Sequence, residues 1–404
     1  MARPNTSASA RRSAAPTRAA PARLAALASA LGLACSSGGG PLGEKSDTAA
    51  PLSEDTGLAA GSGPDLSALD ALLDAAWAEQ PFDLPGIGLL VIDAEGRRRY
   101  AGLRGTLTFD TRMPIASGTK LISGLVALRL LETGALAADD TTGGRLGWGG
   151  PEGAVRFDQL HAFNSGLPAD PPCLSELATR LQDCAAAIGA EGLDTAPGTV
   201  FTYGGGHQAV AGAMMERATG QTWAELFRAE LAAPLGLDDP ELRYVTWPQR
   251  ALGERNPLVA GGLLATADEV AAALQLVLRG GELGGAQLLS APQLDRLFVD
   301  AFPEATIGYS PLAELGAPYR YGFASWLLCA PSAAPCPVIA SPGAFGFTPW
   351  LDRDRGYAAI LVMDAGEAGA AAWAFPRAEE MRAAIEAATS EDAIDAAATD
   401  GAAR

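Results

Sequence analysis

Of the 29 Lys and Arg side chains in this 404-residue chain, only Lys45 and Lys120 are lysines. Lys45 lies in a Gly/Ser/Pro-rich stretch, so the folded body carries Lys120 alone. Arginine serves wherever only a positive charge is wanted. A single surviving lysine therefore marks a place where a guanidinium will not do. Arginine keeps its proton at any workable pH, whereas a desolvated lysine can release it. Three residues earlier stands Ser117, in Ile115-Ala116-Ser117-Gly118-Thr119-Lys120. A serine hydroxyl is a poor nucleophile until a base takes its proton. On a helix, residues i and i+3 face the same side, so the amine can reach the hydroxyl. The chemistry on offer is acyl transfer through Ser117, with Lys120 as its base.

The elements that must hold this pair are legible around it. Leu121, Ile122, Leu125, Val126, Leu128 and Leu131 recur at helical spacing and Gly134 ends the run. Ser117 thus opens a buried helix, whose N-terminus favours negative charge developing there. Near the start, Leu66 to Trp77 has helical spacing, and Gly86 to Asp93 and Arg98 to Leu103 flank a hairpin signal at Ala94-Glu95-Gly96. Near the end, Phe345 to Leu351 and Tyr357 to Met363 flank a second one at Asp354-Arg355-Gly356, followed by a closing helix from about Arg377 to Ala388. Residues 117–300 read as helices broken by Gly/Pro loops. Capping boxes are expected at Thr266-Ala267-Asp268-Glu269 and Ser290-Ala291-Pro292-Gln293. The expected fold class is α/β, in a two-lobe α+β form: an antiparallel sheet flanked by N- and C-terminal helices, with a helical lobe inserted over about 135–300. Such a pair of lobes leaves a cleft at the junction.

These segments resemble the serine β-lactamase and penicillin-binding-protein superfamily, especially its class C-like esterases and peptidases, over about residues 65–388. In that family an S-x-x-K motif opens the central helix, as Ser117 and Lys120 do here. Pro197-Gly198-Thr199-Val200-Phe201-Thr202-Tyr203 matches the stretch that leads into the family's Y-x-N motif. The resemblance implies Tyr203 as a general acid/base shared with Lys120, a role that asks a phenol titrating near 10 for a cationic neighbour. The motif's Asn is replaced by Gly205. Asn164-Ser165-Gly166-Leu167-Pro168, Pro234-Leu235-Gly236-Leu237 and Gly261-Gly262-Leu263 with Thr266-Ala267-Asp268 resemble further family segments in the right order. At the third motif, K-T-G or H-x-G, this chain has Ser341-Pro342-Gly343, without the cation. The resemblance implies an oxyanion hole from the backbone N–H groups of Ser117 and Ala344. Gly205, His207, Ser341 and Gly343 are the expected substrate-binding positions, with a helix-surface or core place as the alternative for His207. The missing cation, which usually receives a substrate carboxylate, argues for esters or small amides over β-lactams. No cofactor or metal is expected.

The first residues read as an export signal. Arg3, Arg11, Arg12, Arg18 and Arg23, with no acidic residue, precede the short apolar run Leu24 to Leu33, too short to span a bilayer. Leu33-Ala34-Cys35 then resembles a lipoprotein cleavage box, with Gly32 where Leu is usual. Cys35 is the expected lipidation site, and plain secretion is the alternative. Removing five positive charges takes the net charge from −18 to −23. Residues 36–64 are expected to be a flexible tether and 389–404 a disordered tail. Beyond Cys35 there are four cysteines, Cys173, Cys184, Cys329 and Cys336. Of three possible connectivities, the two nearest-neighbour disulfides are favoured, in keeping with an oxidising compartment. The expected location is the cell envelope, on a membrane through the lipid anchor, with a small ester, amide or peptide as substrate.

With 47 Asp and Glu against 29 Lys and Arg, a basic face for nucleic acid is excluded. A Ser-His-Asp hydrolase needs a histidine, and His161 and His207 come without a G-x-S-x-G elbow. The rival outside enzymes is a lipid-anchored binding module of the same fold that has lost turnover and recognises cell-wall peptide or a partner protein.

Overall fold

The computed structural model describes residues 64–246, 255–330 and 333–402, with side chains described as far as Ser390. The expected signal peptide with Cys35 lies outside the described residues, as does all of the tether but its last residue, Pro64. A seven-stranded antiparallel sheet runs in the order Arg320–Tyr321, Trp326–Leu327, Val338–Ala340, Thr348–Asp352, Tyr357–Val362, Gly86–Asp93, Arg98–Gly105. The first long strand pairs with the last, Leu90 opposite Ile360, so both ends of the domain close one sheet.

The period-2 alternation of side chains divides these strands between two cores. Ile87, Leu89, Val91, Ala359 and Leu361 face the terminal helices, where Leu69, Leu73, Phe375, Met381 and Ile385 cover them. Leu90, Ile92, Ala358, Ile360 and Val362 face the other way, towards the central helix Thr119–Glu132 and the helix Ala267–Leu278. Both expected hairpins form. At each, the aspartate ending the strand grips the turn. Asp93 accepts from the N–H groups of Glu95 and Arg97, and Asp352 from those of Asp354 and Arg355.

The capping box at Thr266 forms, with Glu269 N–H donating to Thr266 Oγ1 at 3.1 Å and Thr266 N–H to Glu269 Oε2 at 2.8 Å. The one at Ser290 does not. Its hydroxyl donates instead to Glu132 Oε2 at 2.6 Å, tying a four-residue helix to the central one. The closing helix starts earlier and ends later than expected, Ala370–Ala402, with Pro376 inside it and the expected disordered tail continuing the helix. A proline inside a helix costs about 3 kcal/mol. Burial of Ala370, Ala374, Phe375, Ala378, Met381 and Ile385 offsets that, at about 1.5–3 kcal/mol for each large side chain. A short strand pair inside the lobe expected to be helical is a further difference, Glu282–Leu283 beside Ala286–Gln287.

Both nearest-neighbour disulfides are present, Cys173–Cys184 and Cys329–Cys336. They accord with an exported protein. No helix among the described residues is long and apolar enough to cross a membrane.

His161 is fully buried, stacked on Phe323 at 4.3 Å, and among the described residues neither ring nitrogen has a hydrogen-bond partner. Burial pushes its pKa down to about 3. The unfolded chain then binds the proton that the folded one refuses, so stability falls as pH drops from 6.5 towards 3. His161→Leu is expected to flatten that loss. Urea unfolding at pH 7 and pH 5 checks it: the variant's advantage over wild type must be larger at pH 5.

Candidate active site

Ser117 lies in a single 3-10 turn, Ala116–Gly118, which feeds the central helix. The residue before it, Ala116, has φ +45°, a left-handed conformation that costs a non-glycine residue about 1–2 kcal/mol. Three hydrogen bonds hold the turn. Ile115 N–H donates to Leu263 O at 3.1 Å, Gly118 N–H to Ile115 O at 2.9 Å, and Ser341 Oγ to Ser117 O at 2.7 Å.

Lys120, one helical turn on, is 4% exposed. Its Nζ lies 3.0 Å from Ser117 Oγ and donates to Ala260 O at 2.9 Å. Among the described residues no carboxylate pairs with it. Burial pushes its pKa down to about 7, against a weaker upward pull from Asp170. Tyr203 follows the strand Val200–Thr202, and Lys120 Nζ sits 4.7 Å from its ring centroid. The phenol ring stacks on Trp326 at 5.2 Å and meets Phe163 and Tyr321 edge-on at 5.3 and 6.1 Å. Burial pushes its pKa up, while the Ser117 and Trp326 side chains pull the other way. Hydroxyl, amine and phenol therefore share one site, with the amine near its titration point and the phenol protonated. The expected cationic help for the tyrosine is weak, because the same burial that lifts the phenol neutralises the lysine.

At the four expected substrate-binding positions, polar groups are engaged in hydrogen bonds inside the protein. His207 is fully buried. Its Nε2 is 2.8 Å from Thr202 O, which can only accept, so Nε2 carries the proton and Nδ1 accepts from Ser165 Oγ at 2.8 Å. Leu167 N–H completes this chain by donating to Ser165 Oγ at 3.2 Å. His207 thus anchors the residue before Tyr203. Ser341 is 1% exposed and supports the Ser117 carbonyl. Gly343 N–H donates to Phe347 O at 2.8 Å, and Gly205 N–H to Asp170 Oδ1 at 3.0 Å. The N–H groups of Ser117 and Ala344 differ: among the described residues neither donates to a backbone carbonyl. Ala344 O accepts from Ala371 N–H at 3.2 Å, which ties that peptide to the start of the closing helix.

Three neighbours of the site carry no sequence signal. Ala260 supplies a carbonyl, Trp326 an indole face, and Asp170 a charge; each arrives from a distant segment with no local spacing to announce it. Among the described residues no group of three or more His, Cys, Asp and Glu is placed to hold a metal.

A terminally closed antiparallel sheet, a helical lobe, and a Ser-x-x-Lys turn facing a tyrosine across the junction define the β-lactamase-like class of folds. A sequence profile described as Beta-lactamase matches residues 69–392, and the chain belongs to that family. It is similar to "Penicillin-binding protein 4" of Amycolatopsis lactamdurans, 28% identical over 232 residues, which cover 53% of this chain and 58% of that protein. The chain thus spans little more than half the length of that relative. Among solved structures it is similar to EstCE1, a hydrolase with promiscuous acyltransferase activity (TM-score 0.61, 20% identity, 79% of this chain and 99% of that one). It is also similar to a penicillin-binding protein homologue from Caulobacter crescentus (TM-score 0.58, 17% identity, 75% and 93%). At these identities the structural likeness shows the fold alone.

Proposed function

We propose that this protein is an exported serine hydrolase that cleaves esters or small amides through an acyl-enzyme on Ser117. The observation that carries the reading is the buried Lys120 amine, 3.0 Å from Ser117 Oγ and with its pKa brought down to about 7. When neutral, the amine still donates to Ala260 O and offers its lone pair to the Ser117 proton. Oγ then bonds to the substrate carbonyl carbon as its proton passes to Nζ. The oxyanion is received by the N–H groups of Ser117 and Ala344, neither of which has another backbone acceptor among the described residues. Collapse breaks the bond to the leaving group, which takes a proton from the Lys120 ammonium or, through it, from the Tyr203 phenol. Water, deprotonated by the same amine, releases the acid. Export and lipidation at Cys35 remain part of this proposal, supported by the leader's composition and the two disulfides.

A fluorophosphonate probe tests it. Wild type is expected to label covalently and to hydrolyse p-nitrophenyl butyrate, and Ser117→Ala to lose both. A wild-type protein that neither labels nor turns over ester would overturn the proposal in favour of the binding module.

A further inference from the structure

We infer that Asp170 gives this cleft a preference for substrates carrying a positive charge, an ammonium or guanidinium group, close to the scissile bond. The inference rests on the proposed serine chemistry and adds the substrate's charge to it. Asp170 follows the loop Asn164–Pro168 and is exposed. Its Oδ1 accepts Gly205 N–H at 3.0 Å, two residues beyond Tyr203. A side chain on Gly205 would meet Leu174 Cδ1 at 3.0 Å, Ala260 Cβ at 3.6 Å and Asp170 Oδ1 at 3.8 Å. Asp170 therefore borders the slot where relatives carry an amide, beside the residue whose carbonyl holds Lys120. Its charge acts on Lys120, Tyr203, His207 and Tyr309.

A plainer role accounts for half of this carboxylate. It stands at the N-terminus of the helix Gly206–Thr219, where a negative charge is favoured. That role uses Oδ1, and Oδ2 has no partner among the described residues. No arginine or lysine among the described residues pairs with Asp170. Ser341 stands where relatives place a cation, and it is buried against the Ser117 carbonyl. Opposite, Tyr309 is 42% exposed and accepts Tyr203 N–H on its carbonyl at 3.1 Å. Glu314 and Asp170 both act on the Tyr309 hydroxyl. The mouth of the site thus presents carboxylate charge and an open aromatic ring, the two surfaces that receive an ammonium group. With Lys120 neutral above its titration point, nothing described within the site cancels that charge.

Two isosteric pairs read the preference at pH 8, one on each side of the scissile bond. The first is p-nitrophenyl 4-(trimethylammonio)butanoate against p-nitrophenyl 5,5-dimethylhexanoate. The second is butyrylthiocholine against 3,3-dimethylbutyl thiobutyrate. In at least one pair the cationic member is expected to have tenfold or higher kcat/KM. That ratio should shrink as NaCl rises from 20 to 500 mM, because the charge is near the surface. Asp170→Asn keeps an oxygen for Gly205 N–H and removes the charge, so the ratio is expected to fall to within twofold of one. Ser117-dependent turnover with both ratios near one in wild type, or a ratio unmoved in Asp170→Asn, overturns the inference and leaves the proposed function standing. A wild type that turns over none of the four overturns both.

Discussion

Lys120→Met is expected to lower kcat/KM for p-nitrophenyl butyrate by 10³-fold or more and, at the same time, to raise the melting temperature. The loss follows from removing the group placed to take the Ser117 proton, a contribution of about 10²–10⁴ in general-base catalysis, together with the group that returns a proton to the leaving group. The gain follows from burial. A lysine 4% exposed with its pKa brought from 10.5 to about 7 opposes folding at neutral pH. Each tenfold loss of proton affinity corresponds to about 1.4 kcal/mol, so the penalty is on the order of 4 kcal/mol. Methionine leaves Ala260 O without its donor, which returns about 1–3 kcal/mol of that. The net stabilisation is on the order of 1–3 kcal/mol at pH 7.

Its pH dependence has a definite sign. Between pH 7 and 10.5 the unfolded chain binds a proton at Lys120 that the folded chain does not, so wild-type stability rises with pH relative to the variant. The advantage of Lys120→Met should therefore fade towards pH 10.5, which calorimetry at pH 7 and pH 10 would show. In wild type, kcat/KM should climb as pH rises through about 7, where the amine becomes neutral. A profile flat from pH 5.5 to 8.5 would remove lysine from the proton path. Lys120→Arg is not a quiet control. A permanent guanidinium in a site with no described carboxylate partner is expected to destabilise the domain.

Much of the architecture was legible because it is periodic and local. The two hairpins announce themselves by strand alternation around short turns. The central helix follows from Leu121 to Leu131, and each disulfide joins cysteines only 11 or 7 residues apart. The Ser117 turn stood out by residue type, since one lysine among so many arginines carries information that spacing alone does not. The surroundings of the site were illegible for the opposite reason. Trp326 reads as another apolar strand residue, and only the fold stacks it on Tyr203. Asp170 is one acid among 47 in an acidic chain. His207, four residues after Tyr203, has the spacing of a cleft residue, yet Ser165 and Thr202 occupy both its nitrogens. Ser341 occupies a binding motif's position, and its hydroxyl serves the backbone of the Ser117 turn. Sequence reports which residue types are near the chemistry; it does not report which polar atoms are already spent.

Gly343 turns that distinction into the second large effect. A Cβ there would fall inside the van der Waals shell of Ile115 O and lie 2.9 Å from Phe347 O. Both are backbone atoms, held by Gly118 N–H at 2.9 Å and Gly343 N–H at 2.8 Å, so neither yields cheaply. One belongs to the turn that carries Ser117, the other to the loop that carries Ala344. Gly343→Ala is expected to push these two apart, and with them the two N–H groups proposed to receive the oxyanion. Loss of one such donor costs about 10²–10³ in kcat, and overpacking costs about 1–3 kcal/mol in stability. The expected result is a hundredfold drop in kcat with KM changed less than threefold, because the donors act on charge that exists only beyond the ground state. Gly149→Ala, where an added Cβ meets nothing within 4 Å, serves as the control and should retain wild-type turnover. If Gly343→Ala instead keeps full kcat while losing stability, the loop packs against the nucleophile turn without shaping the oxyanion site, and the donors must be sought elsewhere on the cleft wall.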